Sequence, residues 1–255
     1  MNVTIFGAGA FGRAIHQVLT ENGHKATFFD PFVYPEVAIS DALQGAEVIV
    51  LAMPSGSVPQ ILRQIPKDLP LIVATKGLLS AQVFEGFDFL IVSGAGYASD
   101  IMEHTDTVLT ATNKLAPRLL ETPYLKFELT SDVDGVLLCG ALKNVFAIGA
   151  GMLRLQPGTA ELAQYLASVS TELAEILTAN GADAGTAALS CGIRDVELTC
   201  SPRSRNYQFG AGLIDNTDAT VEGISTLKSL RENAIKIPAS ATIITNLIKE
   251  SEKWV

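Results

Sequence analysis

Cysteine is scarce and poorly placed for cross-linking: Cys139, Cys191 and Cys200 are odd in number, scattered, and form no C-x-x-C pair. That excludes a disulfide framework and a zinc pattern, and it fits a reducing compartment. The three histidines, His16, His24 and His104, are isolated on or beside helical stretches, so no cluster suggests a metal. Positive charge is in deficit. Lys and Arg number 18 against 27 Asp and Glu, for a net charge of −9. This argues against a general nucleic-acid binder or a protein held on an anionic membrane. No internal repeat or low-complexity tract breaks the chain. The start, Met1-Asn-Val-Thr-Ile-Phe6, runs straight into a strand without a basic leader or cleavage site, so no signal peptide is expected and the cytoplasm is the expected location. What is plentiful is apolar surface. Hydrophobic residues make up 48% of 255 residues, enough for one large domain or two ordinary ones.

One stretch, Gly135 to Met152, is almost wholly apolar or small, and it carries a single cation, Lys143, followed by Asn144. Leu138, Cys139, Phe146 and Ala147 surround that lysine at helical spacing. Three readings compete. A membrane span is opposed by the polar pair at its centre and by the absence of a second such segment. A core helix could let its lysine snorkel to water. A central helix could carry a catalytic lysine into a cleft, and on that reading removal of the cation should leave the helix packed and folding unharmed.

The first half alternates strand and helix. Val3–Phe6 is a short buried strand, followed by Gly7-Ala-Gly-Ala-Phe-Gly12 and a helix closed by Gly23. This is G-x-G-x-x-G in its required setting. Gly7 permits the turn, Gly9 lets backbone approach a pyrophosphate, and Gly12 lets the helix pack on the strand. The next strand, Lys25–Phe29, ends on Asp30, placed to bind the ribose hydroxyls of NAD. A short helix at Ser40–Gln44 and strands at Ala46–Ala52, Leu71–Ala74, Phe89–Val92, Thr107–Ala111 and Leu125–Leu129 continue the pattern, with helices at Val58–Arg63 and Lys114–Leu120. Strand ends deliver Lys76 and the Gly94–Ala98 loop to the edge where α/β sheets bind ligands. From about Ser131 long helical patterns take over. Asp195 and Thr199 lie one helical turn apart, and Arg205 beside Asn206 after a proline-containing loop makes a good phosphate clamp. The expected organisation is a Rossmann-type doubly wound sheet over residues 1–131 and an all-helical domain over 132–255.

These motifs together resemble the bacterial-type NAD(P)-dependent glycerol-3-phosphate dehydrogenases. The glycine fingerprint, Ala74-Thr-Lys-Gly77, Gly140-Ala-Leu-Lys-Asn-Val145, Asp195 with Leu198-Thr-Cys200, Ser204-Arg-Asn206 and Val221-Glu-Gly223 occur in the family's order across almost the whole chain. The resemblance implies that Lys143 is the catalytic acid/base, with Lys76 and Asp195 as its catalytic partners. It implies a small phosphorylated substrate lined by Lys76, Gly94, Asn144, Thr199, Ser204, Arg205 and Asn206. It implies NAD, with NADP as second candidate, held by Gly7, Gly9, Ala10, Phe11, Gly12, Asp30, Ala98, Arg205 and Glu222. It further implies a homodimer that supplies glycerophospholipid synthesis. The chain departs from the pattern in being short and in reading Gly94-Ala-Gly-Tyr-Ala-Ser-Asp100, where Gly96 replaces a Ser/Thr substrate contact. Arg194 replaces a glycine and Leu137 a glutamate. These departures keep open a related dehydrogenase of another small phosphorylated or acidic hydroxy compound, and a non-enzymatic NAD-binding sensor.

Overall fold

The structure, a computed structural model, describes residues 1–75, 77–215, 221–232 and 234–254. Two compact units are present: Met1–Lys76 with Ser80–Val133, and Gly77–Leu79 with Asp134–Val255.

The first unit is a seven-stranded sheet in the order β2-β1-β3-β4-β5-β6-β7. Its strands are β1 (Asn2–Phe6), β2 (Lys25–Phe29), β3 (Val48–Leu51), β4 (Leu71–Val73), β5 (Phe89–Ser93), β6 (Thr107–Ala111) and β7 (Leu125–Leu129). All neighbours pair in parallel except β5 and β6. The central strands are short apolar runs because both faces are covered: all four residues of β3 and all three of β4 are buried. The edge strands β2 and β7 keep exposed Lys25, Thr27, Lys126 and Leu129. Helices α1 (Ala10–Glu21), α2 (Ile39–Leu43), α3 (Val58–Leu62), α4 (Ala98–Met102) and α5 (Leu115–Leu120) connect them. Ile15, Val18 and Leu19 of α1 join Ile5, Val50, Ile72 and Leu119 in one core. The chain leaves β1 toward β2 on one side and returns to β3 on the other, so the order reverses at the end of β1, where open α/β sheets bind ligands.

The second unit is helical: α6 (Val133–Met152), α7 (Ala160–Ala179), α8 (Asp195–Thr199), α9 (Arg205–Gly210), α10 (Glu222–Arg231) and α11 (Thr242–Glu250). Among the described residues α6 is the one helix long and apolar enough to cross a membrane, and it is buried in the protein. Its apolar character is that of a helix packed all round. Tyr165 of α7 donates its hydroxyl to Phe146 O at 2.7 Å. Glu172 of α7 accepts from Ile243 N (2.6 Å) and Ile244 N (3.2 Å), so a carboxylate from a distant helix caps the start of α11.

All three cysteines are buried thiols. Burial, with a smaller contribution from Glu197, pushes the Cys200 thiol up to about 12. The thiolate is the reactive form. Native protein at mildly alkaline pH is therefore expected to take up no iodoacetamide at Cys200 by mass spectrometry, while guanidinium-unfolded protein is labelled at all three. Rapid native labelling of Cys200 would contradict this burial.

Candidate active site

In the first unit the chemistry gathers around the glycine loop. Gly7 has φ +107°, and a methyl there would lie 2.5 Å from Ala52 O. A methyl on Gly12 would lie 2.0 Å from Gly7 O, so α1 can start this close to β1 only with glycine. Gly9 is the opposite case: a methyl there meets nothing within 4 Å, so the loop keeps open space where a pyrophosphate would approach. Gly9 caps α1 without a side-chain hydrogen bond, and the first turn carries no acid. The helix start, with Ala10 and Phe11, suits an anion. The residues present thus fit a dinucleotide. The helix begins at Ala10, inside the glycine motif, because the loop itself forms the first turn.

The Asp30 carboxylate is held by three backbone N–H groups. Its Oδ2 accepts from Ala8 N at 2.8 Å, and its Oδ1 accepts from Phe32 N (3.0 Å) and Val33 N (3.3 Å). Arg13 Nε donates to Ala8 O at 2.8 Å, so the Ala8 residue is gripped from both sides. Gly94 has φ +143°. Gly96 is buried, and a methyl there would lie 2.7 Å from Thr107 Cγ2, which explains the missing Ser/Thr: the loop packs on β6 with no room for a side chain. Ala98 opens α4, a helix that the alternating pattern does not announce. Lys76 lies outside the described residues.

In the second unit Lys143 is 3% exposed, so it does not snorkel. Its Nζ bonds Asp195 Oδ2, whose side chain is equally buried. The carboxylate arrives through one turn of π-helix at Ser190–Arg194, broken at Gly192 (φ −90°, ψ −122°). A side chain on Gly192 would strike Ala187 O, so the backbone bends there and α8 opens on Asp195. Such turns recur at functional sites. Thr199 Oγ1 donates to Asp195 O at 2.6 Å, one turn on, as the spacing predicts.

Beside this pair runs a relay of amides. Asn206 Nδ2 donates to Asn144 Oδ1 (2.9 Å), Asn144 Nδ2 donates to Glu222 Oε2 (3.2 Å), and Gly223 N donates to Asn206 Oδ1 (2.8 Å). The expected Arg205–Asn206 clamp therefore divides. Arg205 is exposed at the start of α9, while Asn206 is buried with its oxygen and one N–H already engaged. Adjacent helical residues point about 100° apart, which is why one faces solvent and the other the core. Asn144, expected to line the substrate, donates to Glu222 and accepts from Asn206. Ser204 is buried at the cap position of α9. Periodicity could not reveal the relay, whose members lie 62 and 78 residues apart. No group of three or more potential metal ligands occurs among the described residues.

Comparison with known proteins gives a consistent result. A family model described as the NAD-dependent glycerol-3-phosphate dehydrogenase C-terminus matches residues 132–252. The glycerol-3-phosphate dehydrogenase [NAD(P)+] of Roseobacter denitrificans is 30% identical over 295 residues, covering 95% of this chain and 92% of the relative. That of Neorickettsia sennetsu is 28% identical over 298 residues, covering 97% and 88%. The solved glycerol-3-phosphate dehydrogenase of Coxiella burnetii superposes with a TM-score of 0.83 at 21% identity, covering 99% of this chain and 96% of that one.

Proposed function

This chain belongs to the NAD(P)-dependent glycerol-3-phosphate dehydrogenases, and from that premise we propose that it interconverts dihydroxyacetone phosphate and sn-glycerol 3-phosphate, supplying glycerophospholipid synthesis. The observation that carries this reading is Lys143, buried in the largely apolar α6 and bonded to the buried Asp195 of α8, with Asn206 tied to the neighbouring Asn144. A nicotinamide, when bound, supplies or accepts the hydride. The glycine loop binds and orients the dinucleotide's phosphates, and Asp30 faces its ribose. An ammonium has three donors. Among the described residues Lys143 commits to Asp195 alone, so it can also donate to the substrate oxygen, polarise the carbonyl, and deliver its proton as the alkoxide forms. Asp195 fixes that ammonium in place, and Arg205 supplies the positive charge that draws the phosphate to an acidic protein. Residues 1–131 would thus serve the cofactor and 132–255 the substrate, with Lys76 a further cation for the phosphate or carbonyl.

The test is a substrate panel followed by reduced-nicotinamide absorbance, with dihydroxyacetone phosphate first. Turnover of that ketone well above the others supports the reading. The packed Gly96 favours a second reading, in which another small phosphorylated or acidic hydroxy compound turns over faster. A non-enzymatic sensor would have no use for a buried proton donor. We also expect NADH to be preferred. The Asp30 carboxylate would repel a 2′-phosphate, and Arg13 Nε is committed to Ala8 O. Equal or better kcat/KM with NADPH would count against this role for Asp30. Exposed Met152, Leu153 and Leu213 in the helical unit support a homodimer, measurable by light scattering, and the reducing cysteine chemistry supports a cytoplasmic location.

A further inference from the structure

The helical unit holds a cleft of about 980 Å³ that shares no residue with the site described above. The end of α10, the loop at 234–239 and the last turns of α11 line it. Its apolar lining is aliphatic: Leu230 is buried, and Ile235, Ile237 and Ile248 are half-buried. Arg231, Lys236 and Lys249 line the same cleft, and all three are exposed. Among the described residues none of these cations forms an ion pair. None of the twelve lining residues is acidic, in a chain where acids outnumber bases 27 to 18. The loop is held in place. Asn180, at the end of α7, donates from Nδ2 to Lys236 O (2.9 Å), and Lys236 N donates to Asn180 Oδ1 (2.9 Å), so one amide grips both main-chain groups of Lys236. Arg231 and Lys249 fall in the last turns of α10 and α11, where cations offset the helix dipole. That role accounts neither for Lys236, which lies in no helix, nor for the aliphatic lining.

We propose that this cleft binds a single-chain aliphatic phosphomonoester, the chemistry of an alkyl phosphate or a one-chain lipid phosphate. The lining disfavours other classes in turn. A cationic ligand would meet three like charges and no acid. A nucleotide base would find no aromatic ring to stack on. An uncharged hydrocarbon would leave the cations without a use. Three cations match a dianionic head, and a guanidinium can take two phosphate oxygens at once. The leucine and isoleucine side chains can cover the first methylenes of a chain. The volume falls at the upper end of the range for small-ligand clefts, about 300–1,000 Å³. This site is independent of the reaction proposed above, because it uses none of that machinery.

The test is calorimetric titration of the whole chain with dodecyl phosphate below its micelle concentration. Inorganic phosphate, dodecyltrimethylammonium and phosphatidate vesicles are the comparison probes. Dodecyl phosphate is expected to bind at one site, roughly 100-fold or more tighter than inorganic phosphate, the effect of burying a few methylenes. Arg231→Gln combined with Lys236→Gln should weaken it roughly tenfold or more, the range for losing charge-assisted contacts. Ile248→Ser should weaken it as well, and melting temperatures show that each variant is folded. Failure of dodecyl phosphate to bind, or equal affinity in wild type and the double variant, overturns the proposal. Equal binding of dodecyltrimethylammonium would mark a plain apolar patch, and equal binding of inorganic phosphate a plain anion site; either result overturns it. Binding to phosphatidate vesicles without binding to monomeric dodecyl phosphate would make the face a membrane contact, and the proposal fails in that case too.

Discussion

Lys143→Met is expected to lower kcat by roughly 100-fold or more, because general-acid and electrostatic help are lost together. NADH affinity should hold, since the glycine loop and Asp30 belong to the other unit. The melting temperature should fall too. Asp195 is 1% exposed, and methionine would leave its carboxylate buried without a cation, a situation that costs about 3–5 kcal/mol. Lys143→Met combined with Asp195→Asn removes the stranded charge, so stability should largely return while turnover does not. That pair of variants separates catalysis from folding in one comparison. Near-normal turnover in the single variant would remove Lys143 from the mechanism and reopen the sensor reading.

The sequence alone suggests the opposite sign for stability. A solitary lysine in an apolar helix reads as a burden, and its removal as harmless. The partner that reverses this lies 52 residues away, and a π-helical turn aims it. Local order was legible where local punctuation was strong: Lys25–Phe29, Thr107–Ala111 and Leu125–Leu129 are strands with the bounds their β-rich runs suggest. Asp30 was recognisable by its place after a strand, but its three backbone hydrogen bonds were not, because they depend on how the chain turns after β2. α4 was hidden in a glycine-rich loop, and its five residues are too few to show a helical period. The amide relay through Asn144 was invisible for a different reason. Asparagine has no characteristic spacing, and only the three-dimensional approach of α6, α9 and α10 makes its hydrogen bonds.

Arg205→Ala should reduce kcat/KM for dihydroxyacetone phosphate by about 100- to 1000-fold, the loss expected for a charge-assisted phosphate contact worth roughly 3–4 kcal/mol. Unphosphorylated dihydroxyacetone should lose far less, since it presents nothing for a guanidinium to grip. Arg205→Lys keeps the charge without the planar fork and should fall between the two. Comparable losses with both ketones would assign Arg205 to the cofactor or to folding. The melting temperature of the variant reports any folding effect directly.

The helices that carry these two cations meet backbone to backbone. A methyl on Gly210 of α9 would lie 2.0 Å from Ile148 O, and one on Gly151 of α6 would lie 2.1 Å from Tyr207 O. Neither contact contains a side chain that could change rotamer. The separation of the α6 and α9 backbones is therefore set like a gauge block, by main-chain thickness. A side chain at Gly151 or Gly210 would have to push α6 and α9 apart, and with them the backbones that carry Lys143 and Arg205. Substitution of the lysine or the arginine itself would leave that spacing as it is.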